Sequence, residues 1–200
     1  VVGIPNGALT TLVIRRFSEL VISLVLVLVL AAVLRDEAMQ ARFVRYTLVL
    51  GGLSAAAGVV LYILPDALTI QLLSALRVFD YPTGPEVLRF IRDDPELSQR
   101  ATGLWIDPNA FGGYLLMTCA VCLPQLFSTK PVLPRPVTAA CVGLMGLCLV
   151  LTVSRGAMLG LAFGGALIGL LRYRRLLVLG IVVIGLVLIL PQTRDLVSHF

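Results

Sequence analysis

Uncharged apolar runs alternate along this chain with short polar stretches that are mostly basic. The clearest run is LVISLVLVLVLAAVL, residues 20–34, which carries no charge. Its apolar positions cover every side of a helix instead of one stripe, which suits a lipid-facing helix and not an amphipathic soluble one. A hydrocarbon core about 30 Å thick takes roughly 20 such residues in helical form. The pattern predicts six spans, at residues 17–34, 46–64, 111–128, 137–153, 157–171 and 176–190. The predicted fold class is all-α: a polytopic transmembrane helical bundle, one domain over residues 1–200, with an outer loop at 65–110.

That loop has a pattern of its own. DALTIQLLSALRVF, residues 66–79, is apolar but too short to span, and reads as a helix lying in the interface or packed on the bundle. YPTGP at 81–85 is a turn cluster. Pro85 and Glu86 suit the first turn of a second short helix running to about Asp94. Asp107-Pro108-Asn109 reads as a turn in which Asn109 caps the third span. Gly51, Gly52 and Gly58, and the series Gly156, Gly160, Gly164, Gly165 and Gly169, have the spacing of close helix packing.

Composition agrees with the pattern. Residues of the AVILMFWYC class make up 58% of the chain and charged residues 14%, and mean hydropathy is +0.99. A soluble domain is nearer ~45–50% apolar and ~25% charged. The four cysteines, Cys119, Cys122, Cys141 and Cys148, fall inside apolar runs. The CxxC they include has no second pair and no nearby histidine, so they read as small packing residues, and no metal or cofactor is expected. The chain starts at Val1 without Met and stops ten residues past the last predicted span, which reads as a fragment.

Charge gives the spans a direction. The formal charge is +5, but the basic residues lie between apolar runs without the aromatic interleaving of a nucleic-acid groove, so no nucleic-acid partner is expected. The stretches 35–45, 129–136 and 172–175 fall on one side of a six-span bundle and hold eight basic residues against two acids. The loop 65–110, on the other side, holds four basic residues against seven acids. The total of Arg and Lys is eight on each side, so the inference rests on local density and on the acids. The positive-inside rule puts the basic stretches in the cytoplasm.

Two arginines on the opposite side carry the candidate chemistry. Arg100 lies in SQRATGLWIDPN just before a span, and Arg155 lies in LTVSRGAML between two spans with almost no loop. A guanidinium is always charged and bonds phosphate in a bidentate manner. Two of them at the rim of a bundle, beside the helix N-termini at Asn109 and Gly156, would make a pocket for a lipid-linked diphosphate. Position alone equally fits a snorkelling Arg155 and a solvated Arg100. Arg15 and Arg16 fall on the same side and are further basic groups for an anionic substrate.

RATGLWIDPNAFGGYLL (residues 100–116) followed by LTVSRGAMLGL (residues 151–161) resembles the O-antigen ligase/polymerase family of bacterial inner-membrane proteins. That family typically shows Arg-x-x-Gly…Pro-Asn before one span and Ser-Arg-Gly between two later ones. The resemblance covers residues 99–190; the earlier spans are compatible with it. It implies metal-independent glycosyl transfer at the periplasmic face of the inner membrane, from a glycan carried on undecaprenyl diphosphate. The acceptor would be lipid A–core for a ligase, or another glycan for an O-antigen or exopolysaccharide polymerase. By the same resemblance Arg100 and Arg155 would hold the donor diphosphate and stabilise charge on the leaving group. Gly103, Pro108, Asn109, Ser154 and Gly156 would shape the two corners.

The family usually carries a later periplasmic loop with an acting histidine. The sole histidine here, His199 in TRDLVSHF, is on the right side for a general base but lacks the His-Asn surroundings, and also reads as an ordinary loop residue. Two other classes stay open: a transporter of a small anion such as bicarbonate, and a non-catalytic assembly protein. The absence of ionisable residues within the predicted spans, apart from Glu19 at one end, weighs against the transporter.

Overall fold

In the computed structural model, described over residues 11–79, 81–91 and 94–174 with 177 and 180, helix accounts for nearly all regular structure. The helices are α1 (Thr11–Val33), α2 (Glu37–Ile63), α3 (Asp66–Ser74), α4 (Pro108–Cys122), α5 (Arg135–Leu151) and α6 (Arg155–Leu171). Two short strands, β1 (Arg89–Phe90) and β2 (Gln99–Arg100), complete the order. The expected span at 176–190, apart from 177 and 180, and His199 lie outside the described residues.

α1, α2 and α4 with its continuation to Phe127 are long and apolar enough to cross a membrane. α5 and α6 are apolar helices of 17 residues each. At 1.5 Å per residue that is about 26 Å, just short of a hydrocarbon core.

The chain divides into two compact units, residues 1–43 and 44–200. In the first, α1 exposes nearly all of its side chains, Phe17 and Leu28 among them, as the uninterrupted apolar run requires. Arg15 and Arg16 are not a matched pair of open cations: both reach Glu19, at 3.0 and 3.3 Å, one turn along the same helix. The stretch 35–45 is not a loop. Asp36 accepts from the Met39 backbone N–H at 3.1 Å and so starts α2, which places Arg42 and Arg45 on a helix. α2 then runs 27 residues, about 40 Å.

In the second unit the remainder of α2 buries Leu48, Gly51, Gly52, Ala55 and Gly58. These positions recur every three or four residues and make one face. A Cβ on Gly51 would lie 2.6 Å from the Met145 sulfur, on Gly52 2.8 Å from Cys141 Sγ, and on Gly58 2.8 Å from the Phe111 ring. The glycines therefore leave room on this face of α2 for the Met145, Cys141 and Cys148 side chains of α5 and the Phe111 ring of α4. In the second glycine series only some positions do this: Gly160 seats Leu116 of α4, whereas Gly156 and Gly164 face open space. α4 packs on both α5 and α6, and its Phe111, Leu115, Cys119 and Cys122 are buried. The four cysteines are free thiols; Cys141 and Cys148 lie against the α2 glycines.

The connection from α2 to α4 holds one helix of the expected kind. α3 folds back on α2, where the Thr69 hydroxyl donates to the Leu61 carbonyl at 3.0 Å, and a 3₁₀ turn extends it over Ala75–Phe79. The second expected helix, from Pro85 to Asp94, is instead a 3₁₀ turn (Gly84–Val87) followed by β1. A turn at Asp94-Pro95-Glu96, in which the Asp94 carboxylate accepts from the Glu96 N–H at 3.0 Å, reverses the chain. β1 then pairs antiparallel with β2, Arg89 opposite Arg100 and Phe90 opposite Gln99. Pro95 bars helix at Asp94 and the turn there returns the chain, so 89–90 pair with 99–100 in place of a helical extension.

Candidate functional site

The two arginine segments meet at one end of the second unit. The N-terminus of α4 arrives there from one side, and the turn between α5 and α6 from the other.

α4 is started by Asp107, not by Asn109. Pro108 occupies the first helical position, and the Asp107 carboxylate accepts from the Asn109 N–H at 2.8 Å. The Asn109 side chain is thereby released from capping, and its Oδ1 accepts from Arg100 Nη2 at 2.8 Å.

α5 ends at Leu151 with carbonyls that have no helical successor. Arg100 supplies donors to them. Its Nε donates to the Thr152 carbonyl at 2.8 Å and its Nη2 also reaches the Val153 carbonyl at 3.4 Å. One residue on, the Ala101 N–H donates to the Leu151 carbonyl at 2.9 Å. A cation at a helix C-terminus also meets the negative end of the helix dipole. Arg100 is thus half-buried and holds three things together: the strand that carries it, the start of α4, and the end of α5.

Val153 has φ +51, the left-handed region that a β-branched residue rarely enters. Such a conformation costs on the order of 1–3 kcal/mol and persists only where surrounding bonds over-determine it. Here Val153 N–H donates to the Val150 carbonyl, Ser154 N–H to the Thr152 hydroxyl, and Arg100 clamps the carbonyls of Thr152 and Val153. The reversal lets α6 begin at once, with buried Ser154 at its cap position and Arg155 as its first residue. Arg155 is exposed.

Two glycines make room for this corner. A Cβ on Gly112 would come within 2.8 Å of Ser154 Cβ. Gly103 is at φ +56, and a Cβ there would meet the Phe111 ring at 2.9 Å. Gly156 faces open space in the first turn of α6. The structure therefore brings Arg100, Asn109, Ser154 and Arg155 into one corner, with Gly103 supporting it through Phe111.

Several neighbours escaped the sequence reading. The Tyr81 hydroxyl donates to the Trp105 carbonyl at 2.9 Å, and Arg89 Nε reaches the Ile106 carbonyl at 3.4 Å. Burial raises the Tyr81 pKa, and the charge of Arg89 partly opposes the rise. Trp105 packs on Tyr114 with ring centroids 5.4 Å apart. Val153 and Thr152 had no local signal, because nothing in Thr-Val-Ser-Arg announces a left-handed residue. The Tyr81 and Arg89 contacts are set by the hairpin, which the helical reading of 85–94 hid.

Two cavities lie elsewhere. One of about 580 Å³ is lined by Pro82, Pro85, Glu86, Leu88, Arg89, Phe90 and Pro95. One of about 480 Å³ is lined by Phe127 and residues 170–174. Among the described residues no group of three or more His, Cys, Asp or Glu is placed to hold a metal ion.

No protein-family model, curated protein or solved structure matches the chain.

Proposed function

We propose that this chain acts in glycosyl transfer of the O-antigen ligase type, at the periplasmic face of a bacterial inner membrane. The donor is a glycan on undecaprenyl diphosphate and the acceptor is lipid A–core or a similar hydroxyl-bearing glycan. The anomeric C–O bond to the diphosphate breaks, a new C–O bond to the acceptor hydroxyl forms, and the acceptor proton leaves to a base. A polymerase that uses a second glycan as acceptor needs the same corner.

One observation carries the reading: the Arg100 guanidinium joins the Pro-Asn segment, through Asn109, to the Thr152–Val153 turn that launches Arg155. Two segments 52 residues apart that resemble one family's paired motifs are thereby neighbours in space. Their roles differ. Arg155, exposed at the first turn of α6, offers its guanidinium and the adjacent backbone N–H groups to a diphosphate. Arg100 is a positioning residue that fixes the strained turn from which Arg155 projects. Stabilising the leaving diphosphate in this way is an electrostatic contribution and needs no metal.

The test is transfer of lipid-linked glycan in membranes by the full-length protein and by Arg155→Ala and Arg100→Ala. Loss of transfer by Arg155→Ala in a folded protein supports the reading. Normal transfer by both variants sinks it. Reporter fusions in the 81–107 connection and at the 172–174 turn check the orientation, which expects the first in the periplasm and the second in the cytoplasm.

A further inference from the structure

Burial changes abruptly just before α4. Ala101, Thr102 and Gly103 are buried and Pro108 is buried again, but Leu104, Trp105 and Ile106 are 56%, 40% and 45% exposed. A turn puts them there: the Trp105 N–H donates to the Thr102 carbonyl at 3.0 Å, around Gly103 at φ +56. The exposed side chains are apolar, yet backbone groups behind them are bonded within the protein. The Trp105 carbonyl accepts from the Tyr81 hydroxyl, the Ile106 carbonyl from Arg89, and the Asp107 carbonyl from the Phe111 N–H at 3.0 Å. Bonded carbonyls beneath outward apolar side chains are what a loop needs to enter an apolar phase, where no water replaces a missing bond. A loop that faces water needs neither.

The Trp105 ring also has a direction. It packs on Tyr114, which lies about 9 Å along α4 from Pro108 at the usual helical rise. The indole therefore leans along α4, a helix long and apolar enough to cross a membrane, and not away from it. Tyr114, Met117 and Val121 are spaced by three and four residues and share one face of that helix, with Met117 70% exposed. We propose that residues 104–106 continue this apolar face past the helix end as an interfacial anchor, and that the lipid bilayer is what covers it. Leu104 and Ile106 enter the outermost acyl region of the leaflet at the start of α4, and the Trp105 indole lies at head-group level. An apolar ring with a single N–H donor suits that layer. The anchor fixes Asn109, just inside α4, at the depth of lipid phosphates. That last consequence rests on the diphosphate reading of the Arg100–Arg155 corner; the anchor itself does not.

Trp105 is the one tryptophan of the 200-residue chain, so its fluorescence reports this site without a label. The full chain is placed in nanodiscs of phospholipid brominated either just below the head group or near the bilayer centre, and iodide serves as the aqueous quencher. Trp105 is expected to be quenched about twofold or more strongly by the shallow bromine than by the deep one, and to be shielded from iodide. Leu104→Lys and Ile106→Lys change exposed side chains, so helix content by circular dichroism is expected to hold. Their emission moves to the red and iodide quenching rises. Iodide quenching of wild type with no effect of either brominated lipid puts the loop in water and overturns the inference. Shielding from both quenchers overturns it too, because protein then covers the loop. If both variants leave quenching unchanged, α4 alone holds Trp105 at the interface and the three-residue anchor falls. None of these measurements contains a glycan donor or acceptor, so the anchor and the glycosyl-transfer reading fail separately.

Discussion

Arg100 Nε donates to the carbonyl of Thr152 at 2.8 Å, across 52 residues of sequence. The bond closes the C-terminus of α5 with a side chain from a different segment. It also pins a turn whose Val153 is held at φ +51. A charged capping group and a strained residue side by side explain each other: the clamp offsets the strain, and the strained turn lets α6 start without a loop.

Replacing Arg100 with Ala removes charge-assisted bonds that are each worth on the order of 1.5–3 kcal/mol. The variant is expected to lose about that much stability in thermal or denaturant unfolding of the detergent-solubilised protein. Arg100→Lys restores charge but not the Nε–Nη geometry that spans Thr152 and Asn109, so it recovers only part of the loss.

Arg155→Ala behaves differently. The residue is exposed at a helix start, whereas Arg100 is half-buried and clamps the α5–α6 turn. Arg155→Ala is expected to cost less stability than Arg100→Ala, while binding of undecaprenyl diphosphate falls about tenfold or more. Separating the two arginines by stability on one hand and affinity on the other is the measurement that distinguishes their roles.

Gly58→Ala tests the packing of α2. The new methyl group would sit 2.7 Å from Cys148 Sγ and 2.8 Å from Phe111 Cε1, an overpacking that costs about 1–3 kcal/mol. Gly143→Ala on α5 meets nothing within 4 Å and is expected to be neutral or stabilising by up to about 1 kcal/mol. Comparing the unfolding of the two variants isolates close approach from helix propensity. Because Phe111 also seats Gly103, Gly58→Ala is further expected to weaken ligand binding at the α4 end.

Tyr81 gives a pH dependence. Burial raises its pKa above the usual value of 10.0, and its hydroxyl donates to the Trp105 carbonyl. A group whose folded pKa is raised contributes stability that is fully present below the unfolded pKa and is lost as pH rises through the folded one. Wild type is therefore expected to lose stability above about pH 10. In Tyr81→Phe this alkaline fall is smaller, and the lost hydrogen bond lowers stability at neutral pH by about 1 kcal/mol. A titration of unfolding temperature across the alkaline range, following both proteins, decides it.

The local features of this protein are determined by its sequence. Apolar runs without charge make α1, the middle of α2, and α4 to α6, because hydropathy and helical propensity act over a few turns and need no distant partner. α3 was legible for the same reason, as an apolar segment too short to span. Gly51, Gly52 and Gly58 announced a packing face by spacing alone. The two arginine motifs could be picked out, with Asn109 and Ser154 beside them, though not what Arg100 bonds to.

Tertiary structure decided the rest. Residues 85–94 had the composition of a helix start, but a partner strand at Gln99–Arg100 and the turn at Asp94-Pro95 took the chain into β1. Asn109 had the residue type of a helix cap, but Asp107 took that place and left Asn109 to Arg100. Arg100 had the charge of a phosphate ligand, but its guanidinium went to the orphaned carbonyls of α5. In each case the outcome depended on which backbone groups a distant segment left unsatisfied. A sequence states how many donors and acceptors a residue has; only the packed chain brings Thr152 within 2.8 Å of Arg100 and fixes which of them meet.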